Sequence, residues 1–235
     1  MDAAINCAVP PTCEELGYTV NISECASPTV LKCPFDETKA YCSRRCEPGS
    51  ILYSDGKCYY QAPSGKTVVG VVFDAENRLA VSLSASKQMA WGGYGTDIAA
   101  LDNCTNTYTA KTSCGVDGKA NTIAIVSALG SGTDYAAGYC NSLTEGGKST
   151  GVWFLPSLRE LYMLYANKTI VNEGITAAGG ATITSGYHWS STEYSSYNAR
   201  ILNMSSGNVN NNNKSNTNNY VRCVVASLIK SEFLA

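Results

Sequence analysis

The chain has 235 residues, a formal net charge of -2 and only 15% charged residues, which excludes the basic face that nucleic acid requires. Its 44% hydrophobic content contains no long apolar run, which excludes a helical membrane span. Eleven cysteines with irregular spacing fit neither a reducing compartment nor a C-x-x-C zinc site, and predict an extracytoplasmic protein, secreted or surface-displayed.

The opening MDAAINCAVPPT has neither the basic start nor the apolar core of a signal peptide, and reads as a mature end with an added initiator Met. Asn6 before Cys7 makes a poor lipid-attachment sequence, so membrane association would require an anchor not visible here. Cysteines 7, 13, 25, 33, 42, 46 and 58 crowd the first 58 residues among prolines, glycines and polar loops. A segment that small buries little core, so residues 1–65 are predicted to be a module stapled by disulfides, with one of its seven cysteines left over.

From Lys66 the run TVVGVVFDAENRLAVSL predicts two strands joined by a turn at Asp74–Arg78. DYAAGYCNSLT predicts a helix with Tyr135, Ala136, Tyr139, Cys140 and Leu143 on one face. In WFLPSLRELYMLYANK, Pro156 stops a strand, and Ser157 with Glu160 forms a capping box for a helix burying Leu158, Leu161, Leu164 and Tyr165. YHWSSTEY and the final YVRCVVASL read as strands, the latter alternating Val221, Cys223 and Val225 with Arg222 and Val224. Cys104 and Cys114 can close a short loop; a bond between the remaining Cys140 and Cys223 would tie the helix to the last strand, worth about 4 kcal/mol by loop entropy.

Between those strands lies NVNNNNKSNTNNY. Its composition alone reads as a disordered tract. Its position, followed at once by a strand whose cysteine must return to a mid-domain helix, predicts order. His188 stands alone, so no metal site or triad can use it, and the dispersed Asp74, Glu76, Asp97, Asp102 and Asp117 form no calcium loop. No catalytic residue, metal or cofactor is expected. Trp189 is predicted to pack in the interior, while Ser190, Ser191 and Glu193 satisfy backbone groups.

Three pieces occur in order: Trp153, Leu155, Pro156, Ser157, Glu160 and Leu161; then Trp189, Ser190, Ser191, Thr192 and Glu193; then Arg222, Cys223 and Val224. With them residues 66–235 resemble the C-type lectin fold, an α+β domain with two helices and small antiparallel sheets. The likeness is to bacterial and phage domains related to the formylglycine-generating enzyme, collagen-like adhesin and major-paralogous-domain families. The resemblance implies structural roles for Trp153, Pro156, Trp189 and Arg222, and it is nearest to the variable proteins of diversity-generating retroelements.

In those systems adenines of a template are randomised, so AAC (Asn) codons become others. Tyr194, Ser195, Ser196, Tyr197, Arg200, Ile201, Ser205, Ser206, Ser215 and Thr217 are all reachable from AAC by changing adenines, and Asn198, Asn203, Asn208, Asn210, Asn211, Asn212, Asn216, Asn218 and Asn219 would be unmutated sites. The resemblance therefore implies a diversified ligand-binding segment, 194–219, that faces solvent. Ala199, Leu202, Met204, Gly207, Val209 and Tyr220 would be its fixed residues. The implied partner is a protein or cell-surface ligand. An invariant fimbrial or collagen-like adhesin with a fixed glycan target is the rival binding class, and an oxidase or hydrolase of the same superfamily the rival enzyme class.

Overall fold

A computed structural model of the chain describes residues 11–227. It begins with three short strands, β1 (Val20–Asn21), β2 (Leu31–Lys32) and β3 (Lys39–Tyr41), in the order β1-β3-β2. Ile22, Cys25 and Ala40 form the small buried apolar cluster of this unit, too few to hold a fold by burial. Disulfides Cys13–Cys33, Cys25–Cys42 and Cys46–Cys58 supply the constraint instead. Cys7 lies outside the described residues.

The division placed after residue 65 does not coincide with the edge of the next sheet. Strand β4 (Ile51–Tyr53) pairs antiparallel with β5 (Val68–Asp74), Ile51 opposite Val71, and β5 turns into β6 (Leu79–Val81) where expected. Asp74 makes that turn by accepting from the backbone N–H of Asn77 at 3.0 Å. Apolar residues cover both faces of β5, and a hydrogen-bonding edge open at that core would be costly, so β4 is drawn into the main domain.

After β7 (Lys87–Gln88) come five helices: α1 (Thr107–Thr112), α2 (Gly118–Leu129), α3 (Ala136–Ser142), α4 (Leu158–Ala166) and α5 (Lys168–Ala177). Two were expected. The Ser157–Glu160 capping box starts α4, which buries Leu158, Leu161 and Leu164, with Tyr165 half-buried. Helix α2 escaped the apolar pattern because its buried face includes Asn121 and Thr122, which bond Gly115 O and Leu155 O. Among the described residues no helix is long and apolar enough to cross a membrane.

The chain then forms β8 (Tyr187–Glu193), β9 (Asn198–Asn203), β10 (Val209–Asn213), β11 (Tyr220–Val221) and β12 (Val224–Ala226). An upper sheet runs β10-β9-β8-β11-β7 and a lower one β12-β6-β5-β4. The last strand was expected to be continuous and alternating. It breaks at Arg222 and Cys223, because β11 belongs to the upper sheet and β12 to the lower; Val221 to Val225 are all buried at this crossover. Cys223 reaches back to Cys140 on α3 in the expected disulfide, with 5.3 Å between Cα atoms, and Cys104 bonds Cys114.

Candidate ligand-binding face

Strand β8 reads as polar yet is buried from His188 to Glu193. Each polar side chain has a fixed task. Ser190 Oγ donates to Arg200 O at 2.9 Å, Ser191 Oγ accepts from Asn121 Nδ2 at 3.2 Å, and Thr192 Oγ1 donates to Gly115 O while accepting from Leu158 N at 2.9 Å. Trp189, packed in the core, donates its indole N–H to Met89 O at 2.9 Å. His188 lies between Ser86 Oγ and Gly186 O, and burial drives its pKa down to about 4, so the ring is neutral.

Glu193 ends the strand in a buried ion pair with Lys214, both side chains fully enclosed. The Lys214 ammonium also donates to Thr96 O at 2.7 Å and sits 4.6 Å from the Trp91 ring centre, while Glu193 accepts from Ile98 N at 3.3 Å. Burial pushes the Glu193 carboxyl up against the opposing pull of Lys214. The backbone of Lys214 bonds Tyr197 O and receives Trp91 N. This one residue fastens the Asn-rich run, the 194–197 turn and the 91–98 loop together. It was passed over because a lysine among asparagines reads as solvated.

The expected contact residues divide three ways. Arg200, Ile201 and Asn219 do not face solvent: they are no more than 4% exposed. Arg200 donates to Cys104 O, Thr105 O and Thr107 Oγ1 and lies 4.7 Å from the Tyr194 ring, pinning the loop that the Cys104–Cys114 bond closes. Ile201 belongs to the core with Trp189. Arg200 and Ile201 are enclosed because β9 is an interior strand, covered on both faces.

The rest separate to the two ends of the β9–β10 hairpin. Tyr194, Ser195, Ser196, Tyr197 and Asn198 lie at one end with Ser215, Asn216, Thr217 and Asn218; Asn203, Ser205, Ser206 and Asn208 lie at the other, about 17 Å away for five strand residues. Asn210, Asn211 and Asn212 line the edge between them. The segment is therefore ordered but is not one continuous face. Of the expected fixed residues, Ala199, Leu202 and Met204 are fully buried, and Gly207 adopts φ 74° against Tyr165, where a side chain would clash.

The asparagines explain the order locally. Asn203 Oδ1 accepts from Ser205 N, Asn213 Oδ1 from Ser215 N and Asn216 Oδ1 from Asn218 N, at 2.7–2.9 Å, each closing a turn on its own backbone.

One further candidate contact residue lies outside the segment. Tyr94 and Tyr197 are each 54% exposed, with ring centres 5.3 Å apart at an angle of 64°. Gly95 N donating to Ser196 O holds their two loops together. The signal in the sequence was WGGYG, an aromatic set among glycines. Beside it a cleft of about 360 Å³ is lined by Gly92, Gly93, Leu129, Gly132, Asp134 and Tyr135.

A larger cavity of about 530 Å³ holds Asp74, Asp117 and Glu160, but these carboxylates are committed to turn and cap bonds. Burial raises Glu160 to about 7. Trp153 donates to Glu145 O, Pro156 O accepts from Ser191 N, and the buried Arg222 donates to Ser82 O and Ala181 O.

No family model matches the chain, and no curated protein does. Among solved structures the fold is similar to that of a fimbrial protein from Bacteroides ovatus, with a TM-score of 0.51 and 17% identity over 77% of this chain and 48% of that one. The chain thus spans about half the length of that protein. The likeness is one of fold: an α+β domain, here preceded by a Cys-rich module.

Proposed function

We propose that this chain is a non-enzymatic, extracytoplasmic ligand-binding protein of adhesin type. Its contact surface is the turn end of the upper sheet, with Tyr94 and Tyr197 at the centre and Ser195, Ser196, Asn198 and Ser215 to Asn218 around them. The exposed tyrosine pair carries the reading. Two rings rich in contact area, ringed by hydroxyls and amides, stand on loops that the buried Lys214 holds in place. Such a surface gives broad contact at low entropy cost. Five disulfides suit an oxidising compartment, and the fold likeness to a fimbrial protein supports surface display. The partner is a protein or another cell-surface molecule. Arg200 and Lys214, the cations of residues 194–219, are buried, which argues against nucleic acid.

Panels of cell-surface proteins and glycans, screened with the chain multimerised on a fluorescent support, test this. A target of the parent chain should lose at least about tenfold in affinity to Y94A/Y197A, since central aromatics carry most contact energy. A target held equally well by that variant would move the site elsewhere.

We further propose that the segment is written by retroelement mutagenesis, now confined to exposed positions of 194–198, 205–208, 211 and 215–218. Free variation there disturbs no core, whereas Arg200 and Ile201 are held by what they pack against. Flanking DNA should contain a near-copy of these codons differing almost only at adenines, beside a reverse-transcriptase gene. Their absence would leave the invariant fimbrial adhesin as the reading to test.

A further inference from the structure

Strand β10 is the outermost strand of the upper sheet, so one side of its backbone is unpaired by β9. The register shows which groups face outward. Ser190 Oγ bonds the carbonyl of Arg200, and Tyr194 N and Ser195 N bond that of Asn198, so both carbonyls turn away from β10. Their partners across the ladder, Asn211 and Asn213, are then the widely spaced pairs, whose own N–H and C=O groups point to the open edge.

An edge of this kind invites another strand. The usual guards are missing from VNNNN, which has no charge, proline or bulge, and the next residue, Lys214, is turned into the core. At Asn211 and Asn213 the outward donor instead meets the preceding side chain: Asn210 Oδ1 accepts from Asn211 N, and Asn212 Oδ1 from Asn213 N, both at 2.8 Å. Alternate asparagines thus consume two of the donors that an incoming strand would use, those in the middle and at the end of β10.

We propose that Asn210 and Asn212 seal the β10 edge against strand addition by a second copy of this chain, a role other than ligand contact. In N210V/N212V both donors are released on a strand of higher β propensity, and antiparallel β10–β10 pairing across a twofold axis becomes available. Size-exclusion chromatography with light scattering on the full chain, from micromolar to several hundred micromolar, should show association that the parent lacks. N211V gains the same side chain without releasing a donor and should match the parent. In N210A/N212A, amide exchange at Asn211 and Asn213 should accelerate about tenfold, a readout that needs no association. The proposal is overturned if N210V/N212V associates no more than N211V, or if exchange at both amides is unchanged in N210A/N212A. Should the valine variant fail to fold, the exchange result decides alone.

Discussion

Strands β8 and β10 belong to one sheet, both are rich in polar residues, and they use them oppositely. In β8 the side chains from Ser190 to Glu193 reach distant segments and are enclosed. In β10 and its flanking turns the asparagines bond their own or neighbouring backbone and stay near solvent. An interior strand offers polar groups only protein partners, and each unmet one costs about 1–3 kcal/mol; an edge strand has water as a fallback. The difference teaches that polarity marks a surface only where the sheet leaves one.

The strongest break in this contrast is K214M. It removes the single residue of the Asn-rich run that behaves like β8 and leaves Glu193 buried and unpaired. We expect a loss of about 3–5 kcal/mol in denaturant unfolding, with much of it recovered in E193Q/K214M. If K214M costs no more than a surface change, the ion pair is not the anchor.

Acid sensitivity is the next test, since His188 brings titration into β8. Folded His188 stays neutral down to about pH 4 while the unfolded ring charges near 6.5, so the unfolded chain binds more protons and stability falls as pH drops between those values. Glu160 works the other way: the folded carboxyl keeps its proton to about 7 against 4.5 unfolded, so its term falls as pH rises. The two partly cancel between 4.5 and 6.5. E160Q should unmask the His188 loss, at most about 3 kcal/mol on going from pH 6.5 to 4.

T192V, which strands Leu158 N and leaves Gly115 O with Asn121 Nδ2 as its donor, should cost about 1–3 kcal/mol with the fold intact by circular dichroism. N216A, its counterpart beyond β10, should shift stability by no more than about 0.5 kcal/mol, because water can replace the bond to Asn218 N. Equal costs for the pair would erase the distinction between interior and edge.

Much of the frame was legible. The Ser157–Glu160 box, the turn at Asp74 and the pairings Cys104–Cys114 and Cys140–Cys223 all depend on short spacing or simple exclusion. Helix α2 was hidden because Asn121 and Thr122 are buried by hydrogen bonding, which hydrophobic periodicity does not register. Tyr94 was missed because it joins Tyr197 across a hundred residues, through a contact between loops.

Read alone, the amino-acid order determined what is local: turns made by asparagine on its own backbone, caps, strand hairpins, and a stapled module too small to bury a core. Only the tertiary structure decided which polar residues leave water. Arg200 and Lys214 carry the same charge as any surface cation, yet each is enclosed because other segments bring carbonyls, a carboxylate or an aromatic ring to it. Desolvating a charge is favourable only with such partners in place, and they come from residues far away along the chain.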